Sequence, residues 1–358
     1  MAFERTGMKV AVVGATGNVG TSLLRSLQNE LRVTSVVGIA RRLPELRMPK
    51  VTWQRADIVT DDLVPLFRGC DVVVHLAWLI QPSRDLRILH ATNVDGSQRV
   101  FEAAAAAGVP SLVYASSIGA YSPGPKDDAG VDESWPTEGV PTSFYAVHKA
   151  ATERLLDEFE RANPRMRVVR LRPGLIFKRE AASGIRRLFF GPLLPGKLVR
   201  QSLIPFIPDV DGLRFQVVHS YDAGEAYRLA IVSGVRGAFN VATEPVMDPA
   251  GIADLLGARL VKVPAGVLKA GADVTWRLRL QPTPKGWIDM ALQVPVMDTT
   301  RARTELGWKP RFDAADAILD LMDGFQDGAG LETPPLDPKT GGPGRIRELL
   351  TRVGGTSR

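Results

Sequence analysis

Cysteine is almost missing from this chain of 358 residues: one thiol, Cys70, cannot close an internal disulfide and has no second thiolate with which to hold a metal. Histidine is as sparse, with four scattered residues in no ligand spacing, so no structural metal is expected. Long apolar runs are missing too. The stretch LFFGPLLPGKLVRQSLIPFIP is interrupted by Pro, Gly, Lys and Arg before it reaches the roughly 18 to 20 residues that span a bilayer. The opening MAFERTGMKVAVVG has neither the apolar core nor the small-residue cleavage site of a secretory signal. These absences predict a cytoplasmic protein without a membrane partner. Basic charge is in mild excess, with a formal net charge of +6. The Lys and Arg residues form no stripe with interleaved aromatics, and no nucleic-acid-reading motif is present, so a solvated basic surface with an anion site is expected rather than nucleic acid.

What is present is an alternation. Short Val- and Ile-rich runs, KVAVVG, VTSVVGIA, VTWQRAD, DVVVHLAW, SLVYASS and RVVRLRPG, are separated by amphipathic segments. Those segments include VGTSLLRSLQNEL, NVDGSQRVFEAAAAAG and SFYAVHKAATERLLDEFERANP, the last stopped by Asn163-Pro164. Near-continuous apolar strands between helices predict an α/β fold, a doubly wound parallel sheet of the Rossmann type covered on both faces. The expected dinucleotide-binding domain covers 8–175, with 216–240 returning to it through FQVVHSYDAGEAYRLAIV. A smaller, mixed substrate-binding region is expected at 176–215 and 241–325. The remainder, 326–358, reads as a Gly/Pro-rich linker with a short helix at RIRELLTRV.

GATGNVG follows the first strand directly and puts Gly14, Gly17 and Gly20 three residues apart where strand becomes helix. Glycine permits the tight turn and the approach of a pyrophosphate, and the helix N-terminus supplies N–H groups and a favourable dipole. Thr16, Asn18 and Val19 complete that expected cofactor contact. The carboxylate that would bind adenosine ribose hydroxyls after the second strand is absent: GIARRLP offers Ala40, Arg41 and Arg42. Two guanidiniums suit a 2′-phosphate, so NADP(H) is expected ahead of NAD(H). Further on, Tyr145 lies one helical turn before Lys149, on the same face of its helix. That spacing alone is common, but Ser116 and Ser117 close the fifth strand, at the sheet edge where such folds bind ligands. A Ser, a Tyr and a Lys beside a dinucleotide site are proton-transfer groups.

These ordered motifs resemble the extended short-chain dehydrogenase/reductases, often described as NAD-dependent epimerase/dehydratases, over roughly residues 8 to 325. The resemblance implies that Ser117, four before Tyr121, is catalytic with Tyr145 and Lys149, and that Lys149 also binds the nicotinamide ribose. It implies cofactor contacts from Asp57 with Ile58 near the adenine, from Leu76 and Ala77 after His75, from Asn93 in NVDG, which supports the active-site helix, and from Pro173 in RPG. VVHSYDAGEA, with His219 and Asp222, and DTTRARTELGWKP match later motifs of the family, and a homodimer through helices at 85–107 and 145–162 is implied as well. Departures narrow the chemistry. Ile118 and Gly119 stand where sugar-nucleotide 4,6-dehydratases carry an Asp-Glu pair, Leu175 where many epimerases carry a diphosphate-binding Asn, and His148 where a small residue is usual. The expected function is NADP(H)-dependent reduction or dehydrogenation of a small-molecule carbonyl/alcohol pair. The alternatives are an epimerase acting on a sugar or sugar nucleotide and a dinucleotide sensor without chemistry.

Overall fold

The valines that make the sequence alternate are sealed from solvent on both faces. Val10, Ala11 and Val12 in the first strand and Val73 and Val74 in the fourth have no exposure, as parallel strands require when helices cover both sides. The computed structural model describes residues 7–81, 84–189, 204–278, 281 and 283–338. Its strands are β1 (Met8–Val13), β2 (Val33–Ala40), β3 (Val51–Arg55), β4 (Val72–His75), β5 (Ser111–Ala115), β6 (Arg167–Pro173), β7 (Leu175–Phe177), β8 (Phe206–Asp209), β9 (Phe215–His219), β10 (Gly237–Val241), β11 (Thr243–Met247) and β12 (Arg259–Lys262). Seven of them form one parallel sheet in the order β10-β6-β5-β4-β1-β2-β3. The order reverses between β1 and β4, and the register sets Val13 beside His75 and His75 beside Tyr114. Gly14, Leu76 and the serines after β5 therefore emerge side by side at the carboxyl edge, where a crevice opens.

The helices are α1 (Asn18–Gln28), α2 (Val64–Phe67), α3 (Leu86–His90), α4 (Gly96–Ala106), α5 (Phe144–Ala162), α6 (Ala182–Phe189), α7 (Ser220–Val232), α8 (Pro249–Leu256), α9 (Ala265–Arg277), α10 (Gly286–Gln293), α11 (Thr300–Thr304) and α12 (Ala314–Asp327). A π-helical turn, Ala91–Asp95, joins α3 to α4. The α5 boundaries follow local chemistry. Ser143 caps the N-terminus by accepting from Ala146 N at 3.4 Å, and the helix stops at Asn163, ahead of Pro164. Two apolar cores flank the sheet. Leu23, Leu27 and Tyr227 belong to the α1/α7 side, Phe101 and Leu156 to the α4/α5 side.

One expectation needs correction. FQVVH, β9, does not return to the large sheet: it pairs with β7 and β11 in a separate three-stranded sheet. The following α7 packs on α1, so closely that a Cβ on Gly224 would sit 2.7 Å from Ser22 C, and it is β10 that joins the large sheet, beside β6. The late motifs hold this region together. His219 stacks on Phe312 at 3.9 Å and hydrogen-bonds Asp320 at 3.0 Å. Asp222 accepts from the backbone N–H groups of Arg311 and Phe312, both at 2.9 Å, while Trp308 donates to its carbonyl at 2.8 Å.

The tail differs from a free linker as well. Thr333 and Leu336 are buried, and Leu331 N donates to Leu336 O at 3.1 Å. Its expected helix at RIRELLTRV lies outside the described residues, as do the segment 190–203 and the side chain of Arg187.

Candidate active site

The glycine turn is shaped by its neighbours. Gly14 has a φ of +86°, and a Cβ there would lie 2.6 Å from Ala77 N; at Gly20 it would lie 2.5 Å from Gly14 O. Only glycine allows β1, α1 and the extension of β4 to approach this closely. Gly17 opens α1 without a side-chain cap, which leaves the first-turn N–H groups for an anion. Gly14, Thr16 and Gly17 line a cleft with Ile58, Leu76 and Ala77, and Arg41 and Arg42 stand at its border. Both arginines are exposed, and neither is ion-paired among the described residues. A cleft floored by glycine backbone and bordered by free guanidiniums fits a dinucleotide.

The other expected cofactor residues take supporting positions. Asp57 lies between two lining residues, and its carboxylate accepts from Val59 N at 2.9 Å. Asn18 donates to Ile176 O at 3.1 Å, and Val19 packs against the α1/α7 core. Asn93, fully buried, both donates to Leu79 O and accepts from Leu79 N at 2.7 Å, pinning the segment that follows His75. Pro173 is buried at the end of β6.

Ser117, Tyr145 and Lys149 are brought together. Ser117 Oγ accepts from Gly119 N at 3.0 Å. Burial pushes the Tyr145 phenol up, and a hydrogen bond with Ser117 opposes that rise. Lys149 is buried, with Nζ donating to Ala115 O at 2.6 Å and lying 3.6 Å from the centre of the Trp78 ring. Burial brings its ammonium down to about 7, with Glu153 opposing. In this arrangement the ammonium is engaged by Ala115 and Trp78 rather than by the phenol. His148 is not aimed at Tyr145: it packs edge-on against His90 at 5.4 Å and Phe144 at 6.0 Å, and burial lowers it to about 4.

Gly119 has a further reason to be glycine, because a Cβ there would come 2.8 Å from Tyr145 Cε1. Ile118 is buried, and Leu175 packs on an apolar cluster. A dehydratase-type acid/base pair after Ser117 is therefore absent, and so is a polar side chain at 175.

Sequence reasoning missed five participants. Glu153 is fully buried one turn beyond Lys149, accepting from Ser116 Oγ, from Arg170 Nη1 at 2.7 Å and from Arg172 Nε at 2.9 Å. Burial would raise its carboxyl, but Arg172 leads the opposing contributions that hold it near 2. The signal was available: an acidic residue four after Lys149, on the buried stripe of the helix. Trp78 and Trp287 both contact the Tyr145 ring, with ring centres at 5.8 Å and 5.0 Å. Pro334, with Pro335 beside it, reaches the cofactor cleft from the far end of the chain.

Residues 10–242 match the family model described as NAD dependent epimerase/dehydratase family. An uncharacterised protein of Mycobacterium tuberculosis is 27% identical over 338 residues, covering 92% of this chain and 86% of that one. A 2-alkyl-3-oxoalkanoate reductase of Shewanella oneidensis is 30% identical over 174 residues, covering 46% of this chain and 44% of its own. Among solved structures, UDP-glucose 4-epimerase of Thermus thermophilus, in complex with NAD, superposes with a TM-score of 0.65 at 22% identity, covering 89% of this chain and 99% of that one.

Proposed function

The chain belongs to the NAD dependent epimerase/dehydratase family, and on that premise we propose that it is an NADP(H)-dependent oxidoreductase interconverting a small-molecule carbonyl compound and its alcohol. The observation that carries the reading is the convergence of Ser117, Tyr145 and Lys149 at the sheet edge beside the glycine-floored cleft. Gly14, Thr16, Gly17 and Gly20 with the N-terminus of α1 would hold the pyrophosphate, and Arg41 and Arg42 the 2′-phosphate. When bound, the nicotinamide supplies or accepts a hydride. Tyr145 gives its phenolic proton to the substrate oxygen in the reductive direction, and Ser117 holds that oxygen by a hydrogen bond. Lys149 contributes a ribose contact and, while protonated, a positive charge that favours phenolate.

Reduction is favoured over dehydration because Ile118 and Gly119 cannot carry protons. It is favoured over sugar-nucleotide epimerisation because Leu175 sits in an apolar cluster. The similarity to an oxoalkanoate reductase supports the same choice. The test is stoichiometry: oxidation of one NADPH per carbonyl reduced supports the reading, turnover of a sugar nucleotide with no net cofactor change overturns it in favour of epimerisation, and tight binding with no turnover of either class points to a sensor. We also propose a homodimer through α3, α4 and α5, on which Leu86, Ile88 and Val147 remain exposed. Sedimentation velocity checks it.

A further inference from the structure

Trp287 sits in the first turn of α10, which packs against the start of α5. A Cβ on its neighbour Gly286 would fall 2.1 Å from Thr142 O, so the first turn of α10 lies directly against the backbone that leads into α5. Trp287 N donates to Pro284 O at 3.1 Å, and one turn further on Ser143 Oγ donates to Met290 Sδ at 3.9 Å. Asp289 on the same helix is paired with Lys269 at 2.6 Å. The helix start that carries Tyr145 and the helix start that carries Trp287 are thus locked together, and the indole lies beside the phenol with ring centres 5.0 Å apart and planes 37° from parallel. Trp78, which also lines the dinucleotide cleft, meets the phenol edge-on at 5.8 Å. All three residues are half-buried. The nearby carboxylates are paired within the protein: Asp289 with Lys269, Glu153 with Arg170 and Arg172.

We infer that Trp287 and Trp78 make the substrate side of Tyr145 an aromatic slot that selects an uncharged ketone with a flat aryl or conjugated group next to its carbonyl. This rests on the carbonyl-reductase reading above and names its substrate class. A flat π-system gains from an indole face or edge beyond the apolar area it buries, whereas a saturated chain of the same size gains only the area. The difference amounts to about tenfold in affinity for two such contacts.

The experiment uses the full chain with saturating NADPH and compares benzylideneacetone with an unbranched methyl ketone of equal carbon number, with UDP-glucose as a third arm. In parallel, calorimetry measures binding of the aryl alcohol product to the protein loaded with NADP⁺. The wild type is expected to favour benzylideneacetone by about tenfold in kcat/KM. Trp287→Ala should erase that preference through KM and weaken the alcohol to match, while Trp287→Phe keeps most of both. Unchanged urea midpoints for both variants exclude misfolding as the cause. Equal kcat/KM for the two ketones in the wild type, or a preference that survives Trp287→Ala, overturns the slot. If nothing is turned over, or only UDP-glucose is, while the aryl alcohol binds and Trp287→Ala abolishes that binding, the slot stands and the reductase reading falls. No calorimetric binding in the wild type overturns the slot.

Discussion

Replacing Lys149 by Met should inactivate the protein and, near neutral pH, make it more stable. The ammonium is buried, and burial, opposed by Glu153, lowers it from 10.5 to about 7. Its native value lies below its unfolded value, so between about 7 and 10.5 the unfolded chain binds more protons and stability rises with pH. Below that window the side chain is protonated in both states, and the whole penalty for burying the charge is present. The gap from 10.5 to about 7, at about 1.4 kcal/mol for each pH unit, corresponds to roughly 5 kcal/mol. Met keeps the stem but loses the bond to Ala115 O, a charge-assisted contact worth about 1.5 to 3 kcal/mol. The net expectation is a gain of about 2 kcal/mol at pH 7.

Urea unfolding of the cofactor-free protein and the variant at pH 7 and pH 9.5 measures this. The wild type should gain about 3 kcal/mol relative to Lys149→Met across that interval, so that the order of stability reverses. Lys126 and Lys178, each lowered to about 8 by burial, raise stability with pH as well. They do so in both proteins and cancel in the difference. A difference between the two that stays constant from pH 7 to 9.5 would show that Lys149 carries no buried charge, and the argument would fail.

Tyr145→Phe preserves the ring and its contacts with Trp78 and Trp287 but removes the phenolic proton, so turnover of a carbonyl substrate should fall by ~10²-fold or more while cofactor titration is unaltered. Replacing Arg41 and Arg42 together by Ala should weaken NADPH by roughly ten- to a hundredfold and leave NADH nearly unchanged, which fluorescence titration of both cofactors resolves. Glu153→Gln leaves Arg172 buried without its carboxylate, while Arg170 keeps Asp157 and Glu160, and should cost about 3 to 5 kcal/mol in urea unfolding; a loss under 1 kcal/mol would mean that Arg172 is satisfied by Tyr121 and the Glu133 carbonyl alone.

The parts of the fold legible in the sequence were those decided locally. Apolar runs, the Gly14-Gly17-Gly20 turn and the Ser143 and Asn163 ends of α5 each depend on neighbours within a few residues, and the structure places them as expected. FQVVH was a strand in either reading, but its partner was not legible, because a short apolar run is equally content in a large parallel sheet or a small mixed one. The Gly/Pro composition of 327–338 reported turn chemistry, not the burial of Leu336. Gly286 carried no signal in the sequence, since its reason for being glycine is Thr142, far away in sequence.

Glu153 was the deepest omission, and its position explains why Ser116 and Ser117 divide the work. The carboxylate shares α5 with Tyr145 and Lys149, takes the hydroxyl of Ser116 at the end of β5, and takes Arg172, which directly precedes Pro173 at the end of β6. Arg172 in turn donates to Tyr121 OH at 3.0 Å, and Tyr121 donates to Asn240 in β10 at 2.6 Å. One buried anion therefore ties the helix that carries Tyr145 to the segment after β5 that carries Ser116 and Ser117, and through Arg172 to two further strands. With Ser116 drawn to Glu153, its neighbour Ser117 is the serine left facing Tyr145. A network held by charge-assisted bonds in a dry interior resists displacement far more than apolar packing alone does, which is what a site needs if a phenol and a hydroxyl from separate elements are to meet the same substrate oxygen.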